Sequence, residues 1–472
     1  MKRVFIHCMV IAIFAAMAAG CAREQKVVIV STNDMHAAID NFPRLATLVG
    51  QLRIENGGSV LLVDAGDRWT GNPFVDLAEK PLSPIVVLMN ELGYNLGTLG
   101  NHDFDWGQAL LEERIREMDF PIVCANIETG GSQLSYIPPY AFIEIEGIRF
   151  AFLGLVTNFT RFDRPDGKAE SYEGLTFPNV YDTAEKYAWL RDSCDVFVGL
   201  THIGDDADRT LAQRVPTLDL ILGGHSHTVI SEPERIGSTL VTQAGSKLRY
   251  AGVTTVVKNK KGISIENRLV ALDTIPPMQH FAGMVARYNV NGELLAPVGE
   301  TAAPFDKSGV VNMMTDAVRA KTRADIALYH IGGVRTDTLN GGVSTADLFG
   351  LEPFMSEVYT LRMTPGQIKG LIISKFNDTV NSKESHGPDL FPSGFGYAIV
   401  TDESGEAADV KFDRPEKKSY LVAMPDYVYK NYKFDRTDEA VETGVLVTDI
   451  LKEYIEANSP VKPDNARRIE IR

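Results

Sequence analysis

Five short segments concentrate side chains that bind metals or move protons: Thr32-Asn33-Asp34-Met35-His36, Asp64-Ala65-Gly66-Asp67, Gly100-Asn101-His102-Asp103-Phe104-Asp105, Thr201-His202 and Gly223-Gly224-His225-Ser226-His227. They hold five of the chain's nine histidines. Asp34 and His36 offer a hard oxygen and an imidazole nitrogen from one turn. Asp67 can bridge two ions through its carboxylate, Asn101 adds a neutral amide oxygen, and His202, His225 and His227 add nitrogen. Mixed nitrogen and oxygen donors without thiolate suit zinc, manganese or iron better than calcium or magnesium. Two such ions about 3.5–4 Å apart can hold a bridging hydroxide and clamp an in-line phosphoryl displacement. Each motif alone is weak, since a strand-end histidine is more often plain structure, and Asp and Gly favour turns for local reasons. Five of them in order, each after an apolar run, point to one binuclear centre.

The elements that must position these residues are legible as an alternation. Apolar, strand-like runs at 27–31, 60–63, 96–99, 121–125, 149–156, 195–200 and 218–222 are interleaved with helical pattern, as at 42–54 and 107–118. This is an α/β rhythm. Ligands in such folds sit at the carboxyl ends of strands, where all five segments lie. Dense strand pattern at 239–272 predicts an antiparallel finish, and Pro276-Pro277 marks a break. A second unit begins near Pro297, with a helix at 308–321, a strand at 324–329, strands near 396–401, 410–412 and 419–424, and a last helix at 443–457. Thr364-Pro365-Gly366-Gln367 predicts a capped helix start.

Composition narrows the function classes. The chain has 472 residues, 44% hydrophobic and 23% charged, the mix of a globular protein of two or three domains. Its net charge of −15 lacks the basic footprint for gripping long nucleic acid, while a small phosphorylated ligand held by local charges stays open. Lys2 and Arg3 precede an apolar run from 4 to 19 that reads as an export signal. Cys124 and Cys194 are in no Cys-x-x-Cys pattern, which excludes a zinc ribbon and favours buried free thiols. Neither a Gly-x-Ser-x-Gly elbow nor a P-loop is present, so serine esterase and P-loop NTPase readings fail.

With these motifs the chain resembles the calcineurin-like metallophosphoesterases, and within them the exported bacterial 5′-nucleotidases and UDP-sugar hydrolases. The resemblance implies a four-layer α-β-β-α sandwich over 26–275, a linker at 276–296, and a smaller α/β C-terminal domain at 297–472 for substrate recognition. By position, Asp34, His36, Asp67 and His227 match the ligands of a first divalent ion, and Asp67, Asn101, His202 and His225 those of a second. His102 and Asp105 match the catalytic dyad, His102 stabilising charge on the phosphoryl group and Asp105 orienting its ring. Gly332-Gly333-Val334-Arg335 matches the loop whose arginine contacts phosphate, a task suited to a planar guanidinium. Phe391 aligns with a base-stacking aromatic. The second such ring follows a glycine-rich loop that here reads Lys430-Asn431-Tyr432-Lys433-Phe434, leaving Tyr432 or Phe434 to supply it. Ala18-Ala19-Gly20-Cys21 resembles a lipobox, implying residues 1–21 as a lipoprotein signal, acylation of Cys21, and a periplasm-facing outer-membrane anchor. The expected activity is release of phosphate from nucleoside 5′-monophosphates. Its rivals are cleavage of a cyclic nucleotide or nucleotide sugar, and a non-catalytic nucleotide-binding surface lipoprotein.

Overall fold

The computed structural model describes residues 24–160, 162–378 and 387–472. Cys21 and the signal-like segment lie outside the described residues. Two sheets build the N-terminal half. In the first, β1 (Gln25–Thr32), β2 (Val60–Asp64) and β3 (Leu96–Gly97) run parallel and are flanked by the antiparallel pair β10 (Tyr250–Asn259) and β11 (Gly262–Ala271), in the order β11-β10-β1-β2-β3. The second orders β4 (Tyr140–Ile145), β5 (Ile148–Val156), β6 (Val196–His202), β7 (Leu220–Gly223), β9 (Thr239–Gln243) and β8 (Glu234–Ile236) as β4-β5-β6-β7-β9-β8, with β5, β6, β7 and β9 parallel.

Alternation along the strands gives each sheet two apolar faces. Val27, Ile29, Leu61 and Val63 meet Phe150, Phe152, Val196 and Val198 in one buried cluster between the sheets. The opposite face of the first sheet packs Val28, Val30 and Leu62 on the helices Phe42–Glu55, Ser83–Leu92 and Gln279–Tyr288. The outer face of the second packs Ala151, Leu153 and Phe197 on Val180–Lys186 and Asp205–Arg214. The result is the expected α-β-β-α sandwich.

One expected strand is different. Residues 121–125 form only a bridge between Gly97 and Ile122. Pro121 has no N–H to extend a ladder, and the backbone beyond it is drawn to both sheets: Val123 N–H donates to Gly97 and Ala125 N–H to Gly154. Cys124 is buried and Cys194 half-buried, and both are free thiols.

The C-terminal half opens on a short antiparallel pair, β12 (Pro297–Glu300) with β14 (Gly342–Ser344). Its main sheet is mixed and five-stranded, in the order β16 (Leu390–Ser393), β13 (Ile326–His330), β19 (Tyr420–Pro425), β15 (Glu357–Met363) and β20 (Val441–Leu446). One face packs on the helices Lys307–Thr322 and Val447–Asn458. The other face packs on Pro365–Phe376 and on a small sheet of β17 (Tyr397–Thr401), β18 (Ala407–Phe412) and β21 (Ile469–Ile471). The Thr364 cap is present, with its hydroxyl accepting from Gln367 N–H and Gln367 Oε1 accepting from Thr364 N–H. No helix among the described residues is long and apolar enough to cross a membrane.

Candidate metal centre and substrate cavity

The parallel strands of both sheets end at one rim. Asp34 and His36 follow β1, Asp67 follows β2, Asn101 and His102 follow β3, His202 closes β6, and His225 and His227 follow β7. Asp34, His36, Asp67, His225 and His227 all have positive φ, between 46° and 83°. Non-glycine residues avoid that region, and such strain gathers where the fold over-determines a functional geometry. The clamps are visible. Asp34 N–H donates to Gly66 and His36 N–H to Asp67, and a Cβ on Gly100 would collide with the Asp67 carboxylate. Beneath them the buried Arg68 pairs with Asp64 at 3.1 Å and Asp103 at 2.8 Å, so these two acids belong to the scaffold.

The donor chemistry fits divalent metal. His202 Nδ1 lies 2.7 Å from the Ala65 carbonyl and His36 Nδ1 lies 3.1 Å from the Thr70 carbonyl. A carbonyl only accepts, so each Nδ1 carries the proton and Nε2 is the acceptor nitrogen of the neutral ring, the usual device for presenting imidazole to a metal. Those nitrogens converge. His36 Nε2 is 2.9 Å from His227 Nε2, His202 Nε2 is 3.1 Å from Asp67 Oδ2, and Asp34 Oδ1 is 3.3 Å from His227 Nε2. Two groups, Asp34–His36–His227 and Asp34–Asp67–His202, hold their ligand atoms within 4.8 Å of one another. Asn101 Oδ1 and His225 Nδ1 meet beside them at 2.9 Å. Asp34 belongs to both groups, while Asp67 Oδ2 faces His202 and, at 3.9 Å, His36. Both carboxylates therefore lie between the two sets of imidazoles.

Protonation follows this packing. Burial opposes charge on Asp67, but His202 and His102 outweigh it and hold the carboxyl well below the usual range. Burial lowers His225 to about 3, with His202 adding to the effect, so its ring stays neutral. Burial also disfavours a proton on His202, yet Asp67 and Asp34 overcome it and raise that ring to about 10. A proton is thus held where an ion would supply the same positive charge, and metal binding would displace it.

His102 stands apart from this convergence. Its Nδ1 is 2.8 Å from Asp105 Oδ2, and its backbone N–H donates to Asp67 Oδ1 at 2.8 Å. Burial lowers its basicity, but Asp105 and Asp67 more than compensate. The ring borders a cavity of about 490 Å³ between the two halves of the chain, with Asp67, Asn101, His225 and His227 also in its lining. Arg335 enters from the C-terminal side, its guanidinium 3.1 Å from His36 Nε2.

Two of the three rings expected to stack, Phe391 and Phe434, are elsewhere, while Tyr432 borders the cavity. Phe391 is half-buried on β16 against the clusters of both sheet faces, and Phe434 packs near Tyr429. Neither lines the cavity, and their rings serve the core. Phe354 and Tyr427 line it instead, with Tyr432 deeper and bonded through its hydroxyl to Asp389. Phe354 stacks on His102 with centroids 5.5 Å apart, and Tyr427 stacks on His330 at 4.7 Å. Asp426 and His330 complete the wall, each burying one side-chain atom, Oδ1 and Nδ1, without a hydrogen-bond partner. The signal for Tyr427, Asp426 and His330 was present: Asp426 and Tyr427 directly follow β19 and His330 closes β13, as the metal-side segments follow or close their strands.

Known proteins are similar to this chain in sequence and fold. The sequence profile of calcineurin-like phosphoesterases matches residues 27–229, and that of the 5′-nucleotidase C-terminal domain matches 285–434. The chain belongs to the calcineurin-like phosphoesterases that carry a 5′-nucleotidase C-terminal domain. Protein 5NUC of Lutzomyia longipalpis is 25% identical, over 99% of this chain and 96% of its own. A 5′-nucleotidase of Vibrio cholerae is 24% identical, over 95% of each. In fold, the 5′-nucleotidase precursor of Thermus thermophilus superposes with a TM-score of 0.82 at 21% identity, covering 94% of this chain and 99% of that one.

Proposed function

We propose that this phosphoesterase releases phosphate from nucleoside 5′-monophosphates, giving nucleoside and phosphate. The observation that carries the reading is the fixed tautomer of His36 and His202 beside Asp34 and Asp67, at the floor of a cavity whose other wall brings a guanidinium and two aromatic rings. Asp34, His36, Asp67 and His227 would hold one divalent ion, and Asp67, Asn101, His202 and His225 the other. Zinc, manganese and iron suit these donors. When bound, the pair supplies a water-derived nucleophile and neutralises charge on the phosphate.

The chain's own groups do the rest. Arg335 grips phosphate oxygens bidentately. Asp105 accepts from His102 Nδ1–H, which turns the other ring nitrogen toward the cavity to donate to the phosphoryl group as its charge grows. Phe354 and Tyr427 are the surfaces against which a base can stack. Asp426 Oδ1 accepts from an amino or imino group at its edge. His330, held neutral because burial and then Lys375 lower it to about 3, adds a second polar contact without adding charge.

A substrate panel tests this on purified protein in manganese and in zinc: AMP, a cyclic nucleotide, a nucleotide sugar and an aryl phosphate. AMP should have the highest kcat/KM. Preference for the cyclic or sugar substrate would overturn the nucleotidase reading and leave the metal centre standing.

Export through the signal-like segment and acylation at Cys21 complete the proposal, because stable anchoring needs more than one acyl chain and a lipoprotein cysteine carries several. Native protein should partition into detergent and Cys21→Ser should not. Recovery of the wild type as a freely soluble protein contradicts acylation.

A further inference from the structure

We propose that Lys247 is a positioning residue for substrate phosphate, holding the Arg335 loop over the metal centre across the domain boundary. Its place is dictated by the metal-binding half. Lys247 sits in the loop between β9 and β10, with φ of 55°, and its backbone N–H donates to the Asp34 carbonyl at 2.8 Å. The same loop is pinned through Asn33, which accepts from Ala244 N–H and donates to the Gly245 carbonyl. From that anchor the Lys247 ammonium reaches into the C-terminal half and donates to the Arg335 carbonyl at 2.8 Å. Lys307, from the C-terminal half itself, takes the neighbouring Val334 carbonyl at 2.7 Å. Two lysines from opposite domains therefore grip consecutive carbonyls of the Gly-Gly-Val-Arg turn, and of the two it is Lys247 whose backbone is bonded to a proposed metal ligand, Asp34.

The charges are what an anion site needs. Lys247 is held close to a second cation, and burial followed by Arg335 depresses its pKa. Lys307 and Arg249 add to the positive charge around it and Asp337 opposes them, so a bound phosphate would meet a local surplus of cations in a chain of net charge −15. Lys247 does not line the cavity. It acts through the aim of the Arg335 guanidinium, which reaches within 3.1 Å of His36 Nε2.

This rests on phosphate binding at the proposed site but not on the nucleotide being the substrate, and the experiment keeps the two apart. Inorganic phosphate is titrated calorimetrically into manganese-loaded full-length protein: wild type, Lys247→Met, Lys247→Arg, Arg335→Ala, and Lys247→Met combined with Arg335→Ala. Lys247→Met should weaken phosphate about 10-fold, the worth of a charge-assisted hydrogen bond, with manganese content unchanged. Lys247→Arg should recover part of the loss. In the Arg335→Ala background Lys247→Met should have no further effect, because the group it aims is gone. On any substrate the protein turns over, KM should rise more than kcat falls. An additive loss in the double variant, unchanged affinity in Lys247→Met, or loss of manganese or fold in that variant overturns the proposal. Failure of AMP turnover alongside the expected phosphate pattern would refute the nucleotidase reading alone.

Discussion

Truncating the cavity rings one at a time separates substrate recognition from core packing. A stacked base is worth ~1–3 kcal/mol. At 1.4 kcal/mol per tenfold, Tyr427→Ala should lower kcat/KM on AMP by about 5- to 150-fold. An aryl phosphate too small to reach Tyr427 should lose far less. Phe354→Ala should damage both substrates, because Phe354 also stacks on His102 at 5.5 Å and its removal lets water reach that ring. Phe391→Ala should leave kcat/KM unchanged and lower stability instead. Full burial of a phenylalanine is worth ~3–5 kcal/mol on truncation, so this half-buried ring should cost about 2 kcal/mol. Steady-state kinetics on the two substrates, with a denaturant midpoint for each variant, reads all of these. A tenfold or greater loss on AMP from Phe391→Ala, with Tyr427→Ala near wild type, would refute the assignment of the stacking surface to the cavity lining.

Three further outcomes follow from the site and its surroundings. His102→Ala should keep both metals and lose about 10²–10⁴-fold in kcat, with Asp105→Asn milder; metal loss in His102→Ala would make it a ligand. Asp67→Ala should deplete both ions by elemental analysis and Asp34→Ala mainly one; equal depletion would give Asp34 a share of both, as its membership of both groups allows. Burial raises Asp208 to about 7, so the folded state binds its proton more tightly than the unfolded chain and ionisation erodes stability as pH rises from about 4 to 7. Asp208→Asn should therefore gain on wild type by about 2–3 kcal/mol between pH 5 and pH 8, and a pH-independent difference in denaturant midpoint would contradict the buried-acid account.

The convergence of the proposed metal ligands was legible because each follows or closes a short apolar strand, and strand ends of an α/β fold face one rim. The Thr364 cap was equally plain, since its bonds join residues three apart. What strand pattern cannot convey is how two domains face each other. Phe354 lies in a loop before β15 and lines the cavity, with Lys168 of the other domain donating to its carbonyl at 3.1 Å. Tyr427 is likewise tied by its hydroxyl to Asp166. An aromatic on a strand looks the same in sequence whether it faces a ligand or the core, and Phe391 packs on two core clusters. Nor does a sequence reveal that five proposed ligands hold left-handed backbone, a constraint imposed by clamps such as Gly66 and Gly100 from neighbouring loops.

Two divalent ions bound in this cavity should make the protein a phosphatase for nucleoside 5′-monophosphates. Stepwise addition of manganese to metal-free protein, with bound manganese and phosphate release from AMP measured on the same samples, tests it most directly. Release should be negligible without metal and reach its maximum at two ions per chain. Full release at one ion or none, or no release from AMP with both ions bound, would contradict the account.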